Sequence, residues 1–187
     1  EQSAGFATQY VNRNFSARIN GVYVGENYQS DLGFLRRTDI FKISPQIERT
    51  FWPNESKIQK HSFSITPIFI WKPELNFKNS DYAIISRWRA NFINTAELTA
   101  EMKNRFTYLF SEFDPTGTDG AIPLPANKGY AYTNFNLSYR SDQRKNFSYR
   151  IEPSVGTFFN GKKYSLTTNL AWRIQPYFSG SMQINYD

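Results

Sequence analysis

The sequence predicts an all-β fold: an antiparallel transmembrane β-barrel, with residues 1–187 forming one barrel domain that supplies about ten strands to a larger barrel. Three observations predict it. Apolar and polar residues alternate with period two, connections alternate between short and long, and many segments exceed the usual strand length of soluble proteins. The last hairpin carries the alternation most plainly. Leu166, Thr168, Leu170, Trp172 and Ile174 share one parity, with Thr167, Asn169 and Arg173 between them. After Pro176, the residues Phe178, Gly180, Met182, Ile184 and Tyr186 oppose Ser179, Ser181, Gln183 and Asn185. A period of two sends successive side chains to opposite faces of a strand.

Alternation and turn residues delimit strands at 3–11, 15–25, 39–51, 58–71, 83–93, 96–110, 130–140, 147–159, 164–175 and 177–187. Charges justify most of these elements in turn. Arg18 in the second, Lys42 and Glu48 in the third, and Arg87 and Arg89 in the fifth lie on the parity opposite the apolar set. So do Arg150 and Glu152 in the eighth and Arg173 in the ninth. Arg49 is the exception, beside a turn where its long stem reaches water. The sixth element, "AELTAEMKNRFTYLF", is rich in helix formers. Its charges Glu97, Glu101, Lys103 and Arg105 share a face only in a strand, with Leu98, Ala100, Met102, Phe106 and Tyr108 on the other.

Short connections fall at Asn12 to Asn14, Trp52 to Lys57, Asn94 to Thr95, Ser141 to Asn146 and Gln175 to Pro176. Long ones carry Glu26 to Thr38, Lys72 to Tyr82 and Ser111 to Gly129, and Asn160 to Lys163 breaks the pattern. Short turns at one rim and long loops at the other mark outer-membrane barrels. Eleven residues at about 3.3 Å each, tilted near 45°, rise about 25 Å, the height of a barrel's apolar band. Aromatics such as Phe51, Trp52, Trp71, Phe110, Tyr139, Phe159 and Tyr177 gather near strand ends, where interfacial girdles lie.

One dry face is compatible with two solutions. In an outer-membrane barrel the apolar parity touches lipid, which assigns Trp88, Phe106, Leu170, Trp172 and Ile184 to the bilayer. Arg87, Arg89, Glu101, Lys103 and Arg105 then form charge pairs in the lumen, with Glu101 opposite Arg89 or Arg87. In a soluble barrel or sandwich that binds a lipid or glycan, the apolar parity turns inward.

Composition excludes other classes. The absence of cysteine removes disulfides, thiolate chemistry and Cys-ligated zinc. The net charge of +6 is scattered in basic runs of at most two residues, such as Arg36-Arg37 and Lys162-Lys163, which argues against a nucleic-acid partner. No signal peptide is visible at the amino terminus, and no apolar run reaches the length of about 20 residues that a membrane helix needs. His61 is the sole histidine and reads as a solvated residue at a strand start. "GTFFNGKK" matches a phosphate-binding loop up to its lysine, but Lys163 replaces the Ser or Thr that holds magnesium. "FDPTGTDG" offers Asp114, Thr116 and Asp119 without the terminal Glu of a calcium loop, so it reads as a plain turn. Asn-x-Ser triplets at Asn14, Asn54, Asn136 and Asn146 fall at turns and within a strand and carry no glycosylation reading. No catalytic residue, metal site or cofactor site emerges.

Four stretches, "GENYQSDLGFLRRTDI", "YLFSEFDPTG", "YRSDQRKNFSYR" and "FFNGKKYSLTTNLAWRIQPYFSGSMQINY", carry a family likeness. They resemble an uncharacterised outer-membrane β-barrel family of Gram-negative bacteria. Its members bear an amino-terminal carbohydrate-binding domain, similar to family 9 modules, ahead of a carboxy-terminal barrel. The resemblance implies a bacterial outer-membrane location, contact with outer-membrane lipid, and glycan or other outer-membrane proteins as partners, with no catalytic residues. This chain resembles part of the barrel. It lacks the carbohydrate-binding domain and stops at Asp187 without a terminal aromatic, so it is expected to be a segment of a longer polypeptide.

Overall fold

The computed structural model describes residues 2–29, 38–54, 56–73, 77–115, 117 and 120–186. Its elements are β1 (Ser3–Val11), β2 (Phe15–Val24), β3 (Ile40–Phe51), β4 (Ile58–Lys72), β5 (Lys78–Phe92), β6 (Glu97–Leu109), β7 (Lys128–Arg140), β8 (Phe147–Phe158), β9 (Gly161–Ile174) and β10 (Phe178–Tyr186). Each strand pairs antiparallel with the next in chain order, giving one 10-stranded meander. β1 pairs with β2 alone and β10 with β9 alone, so the sheet keeps two free edges and does not close on itself. No α-helix occurs among the described residues, and the helix-prone segment is strand β6. Its four charges lie on one side, which overrides propensity.

The main departure from expectation is β5, which starts at Lys78 rather than at 83. Asn79, Ser80 and Asp81 read as loop, but they continue the ladder past a bulge between Ile70 and Trp71. There the buried Ser80 hydroxyl donates to the Ile70 carbonyl at 3.2 Å and satisfies a group the bulge would strand. The expected long loop from Lys72 to Tyr82 therefore shrinks to the connection between Lys72 and Lys78. β9 likewise begins at Gly161, which leaves a two-residue connection at Phe159 and Asn160.

Partners in an antiparallel ladder point to the same face, so the registers sort side chains across the whole sheet. One face carries Phe41, Ile43 and Ile47 on β3, Phe63 and Ile65 on β4, Trp88 on β5 and Met102 on β6. It continues through Phe135, Val155, Leu166 and Met182 on the last four strands. The other face carries Arg18, Lys42, Glu48, Arg87, Glu101, Lys103, Arg150 and Arg173. No second layer covers the apolar face among the described residues. Among the described residues six hydrophobic ones are buried, whereas large ones such as Phe63, Phe135, Leu137 and Ile151 stay exposed. The chain presents 13004 Å², about 1.4 times the surface of roughly 9,300 Å² that a compact soluble monomer of this mass exposes. In β8 the pattern is inverted relative to a water-soluble sheet: Ile151, Pro153 and Val155 are exposed while Ser148 is buried and Glu152 and Ser154 are half-buried.

Register sets the slant of the sheet. Following partners from Tyr10 through Ala17, Ile47, Ile65, Ser86, Met102, Phe135 and Val155 ends at Tyr164. Tyr10 lies one residue before the end of β1 and Tyr164 ten residues before the end of β9. The row thus drifts nine residues in eight strand steps. With about 3.3 Å per residue and about 4.8 Å between strands, level strand ends require a tilt of about 38°.

Pro45 and Pro67 lie where the β3–β4 ladder shows no pairs, between Ile43↔Phe69 and Ile47↔Ile65. Neither can donate a ladder hydrogen bond, which explains the gap. At Gly129 a Cβ would meet the Phe106 ring at 2.5 Å, so glycine lets that ring lie across β7.

The longer loop after β6 folds back on itself. Phe113 and Leu124 exchange hydrogen bonds of 3.1 and 2.8 Å, and Leu124 is buried. Phe159 closes this end: its ring centroid lies 5.4 Å from Phe113, 5.3 Å from Tyr132 and 4.9 Å from Phe158. It does so at φ 51, a region costly for a bulky residue. Phe159→Gly relieves that strain but empties the cluster. It is expected to lower stability by about 1–3 kcal/mol, read as a lower midpoint in chemical unfolding; an unchanged or raised midpoint would show that the rings contribute nothing.

Candidate functional site

The charged face is organised by two carboxylates on β6. Arg87 stands directly opposite Glu101, and its Nε donates to Glu101 Oε2 at 2.9 Å while its Nη2 reaches the same oxygen. Lys103 Nζ, two residues along and therefore on the same face, reaches Glu101 Oε1 at 2.6 Å. Glu101 is buried, whereas both cations keep about a third of their surface. The alternation of β6 places these groups together. Of the two partners expected for Glu101, it takes Arg87; Arg89 faces Thr99 instead and lies 3.9 Å from Glu97. Glu97 also receives Asn91 Nδ2 at 3.1 Å and lies 3.6 Å from Arg140 Nη2. Arg105, expected among the lumen pairs, is half-buried and has no ion-pair partner among the described residues. Glu101 is thus held by two cations and Glu97 by two cations and an amide, which offset their charge.

The apolar face holds the residues expected to meet lipid. Trp172 is 36% and Ile184 46% exposed, while Trp88, Phe106 and Leu170 are half-buried by neighbours on the same face. An open groove of about 670 Å³ crosses this face, lined by Trp88, Ala100 and Leu137 from one ladder row and by the partners Pro153 and Leu166. His61 belongs to this face and corrects the expectation of a solvated residue. It is half-buried opposite Ala90, with its ring stacked on Phe51 at 5.0 Å. Arg49 also sits here, and its guanidinium lies 5.8 Å from the Phe51 ring near the β3–β4 turn.

Three features lay beyond the reach of sequence reasoning. Arg140 and Arg150 are ladder partners, like charges face to face. The aromatic cluster around Phe159 joins a loop to a hairpin. The third is a tie between adjacent turns: Thr95 Oγ1 donates to Asp142 Oδ1 at 2.9 Å, and Gln143 N donates to Thr95 Oγ1 at 3.3 Å. Thr95 adopts φ 66 to do this, strained for a β-branched residue.

Asp142 lies in the β7–β8 turn, and the Arg144 side chain and amide, with Thr95, hold its carboxyl well below the usual 3.8. A depressed carboxylate adds stability above its unfolded value, and that stability is lost as pH falls through the folded value. Resistance to unfolding is therefore expected to decline below about pH 4, and less steeply in Asp142→Asn. Unfolding midpoints measured from pH 7 to 2 check this; parallel profiles would refute the tie.

The sequence motifs resolve simply. "GTFFNGKK" lies on the β8–β9 hairpin with no helix after it. In "FDPTGTDG", Thr116 and Asp119 lie outside the described residues, as does the Arg36-Arg37 pair. No helix among the described residues is long and apolar enough to cross a membrane, which has no bearing on crossing by strands. Set against known protein families, curated proteins and solved structures, the chain matches none of them.

Proposed function

We propose that this chain is part of an integral β-barrel of the bacterial outer membrane, a non-catalytic segment that serves in glycan handling, in transport or as a scaffold. Its apolar face lies on outer-membrane lipid and its charged face lines the lumen, where glycan and neighbouring outer-membrane proteins are the expected partners and nucleic acid is not. One observation carries this reading: a continuous apolar face across ten strands that no second layer covers among the described residues, backed by a face that holds the strands' charges. Water would drive such a face to bury itself, whereas hydrocarbon does not. The slant of about 38° agrees with the 35–45° tilt of outer-membrane strands. Two free edges are costly in hydrocarbon, because each unsatisfied backbone group there costs several kcal/mol. The reading therefore requires β1 and β10 to be paired, with each other or with further strands.

The groove on the apolar face favours a second reading, a soluble protein that seats a lipid there. Reconstitution separates the two. The full chain, transferred to vesicles with brominated acyl chains, is expected to show quenched emission from Trp88 and Trp172 and to aggregate when detergent is withdrawn. A folded monomer in plain buffer with unquenched emission would reject the membrane reading.

A further inference from the structure

The partnership of Arg140 and Arg150 calls for an explanation. They are directly opposite in the β7–β8 ladder, and like charges in that position repel. Nearby carboxylates do not resolve the conflict. Glu97 serves Arg140 at 3.6 Å but also faces Arg89, and Glu152 accepts a hydrogen bond from Ser138 Oγ at 2.9 Å. Arg150 has no hydrogen-bond or ion-pair partner among the described residues. The Nε of Arg140 is buried and has no acceptor. A sheltered donor without an acceptor is costly, and on a guanidinium that keeps about a third of its surface an incoming anion would satisfy it.

The surroundings are built to receive one. A pocket of about 310 Å³ opens on the charged face, lined by both arginines together with Gln143, Ser148, Asn169 and Gln183. Asn169 stands opposite Arg150, and Gln183 opposite Asn169, so the row runs from paired guanidiniums to amides. Guanidiniums offer forked donors that match the two oxygens of a carboxylate or phosphate, and amides suit the hydroxyls beside it. We propose that this pocket binds a small ligand bearing an oxyanion, held between Arg140 and Arg150 with its polar remainder against Asn169 and Gln183. The site lies on the charged face whichever medium the opposite face meets, so it stands or falls separately from the membrane reading.

The test uses the full chain in detergent micelles and isothermal titration with three probes: inorganic phosphate, a hexuronate and glucose. An oxyanion probe is expected to bind at least tenfold tighter than glucose and to weaken as sodium chloride rises from 0.05 to 0.5 M. Arg150 is exposed, so Arg150→Gln leaves the fold intact and is expected to lose at least tenfold, as is Arg140→Gln. Arg18→Gln, on the same face at β2, is expected to bind as the parent does. Preference for the hexuronate identifies an acidic sugar as the carrier, and preference for phosphate a phosphorylated group; both support the oxyanion site. Equal binding of glucose, no binding of either oxyanion, or unchanged affinity in Arg150→Gln overturns it.

Discussion

Phe135→Arg is expected to lower the stability of the membrane-inserted chain by about 2–4 kcal/mol, the cost of a basic group at a lipid-facing midplane position. Phe135 lies next to the midpoint of β7, faces Met102 across the ladder and is 53% exposed. In water, a change at such an open position stays within about 0.5 kcal/mol. The two media thus predict outcomes separated by several times the measuring error. Two companions sharpen the contrast. Asn136→Arg, one residue away but on the face that holds Glu101, is expected to be nearly silent. Phe178→Arg, at the end of β10, is expected to cost about 0–1 kcal/mol because the penalty fades toward the interface. Reversible urea unfolding from phospholipid vesicles reads all three. A Phe135→Arg chain as stable as its parent would remove lipid from that face.

Glu101→Gln is expected to be the second most costly change, at about 2–4 kcal/mol. The carboxylate is 6% exposed and is gripped by Arg87 on the facing strand and Lys103 on its own. Loss of its charge leaves two cations side by side over one half-sheltered amide. Removing one member of a buried pair costs about 3–5 kcal/mol, and the partial exposure of Arg87 and Lys103 brings the figure down. Arg87→Gln in the same chain is expected to recover much of the loss, since it removes the orphaned charge along with its neighbour. A double-mutant cycle measures this coupling. Strict additivity would mean that the pair is incidental.

The strands were legible because alternation is a local property: Arg87, Trp88 and Arg89 already separate into two faces when read alone. The start of β5 was not, because Asn79, Ser80 and Asp81 are turn formers by composition and only the bulge at Ile70 keeps them in the ladder. Charge pairing was half legible. Sequence parity put Glu101 with either Arg87 or Arg89, and choosing between them needs the register to a single residue. The Arg140–Arg150 contact was hidden for the same reason. A turn read as Ser141 to Asn146 opposes Arg140 to Phe147, whereas Ser141 instead bonds Tyr149 and moves the partner to Arg150. His61 was misplaced because its neighbours across the ladder, Phe51 and Ala90, are distant in the chain.

The slant of the ladder gives the charged face a direction as well as a composition. Arg140 is the last residue of β7, Arg150 stands three residues inside β8, and Asn169 and Gln183 each stand five inside their strands. Depth therefore increases from Arg140 through Arg150 to Asn169 and levels at Gln183, like steps that begin at the short-turn rim and end on a landing. A ligand that spans this row would reach several residues down from the rim as well as across four strands.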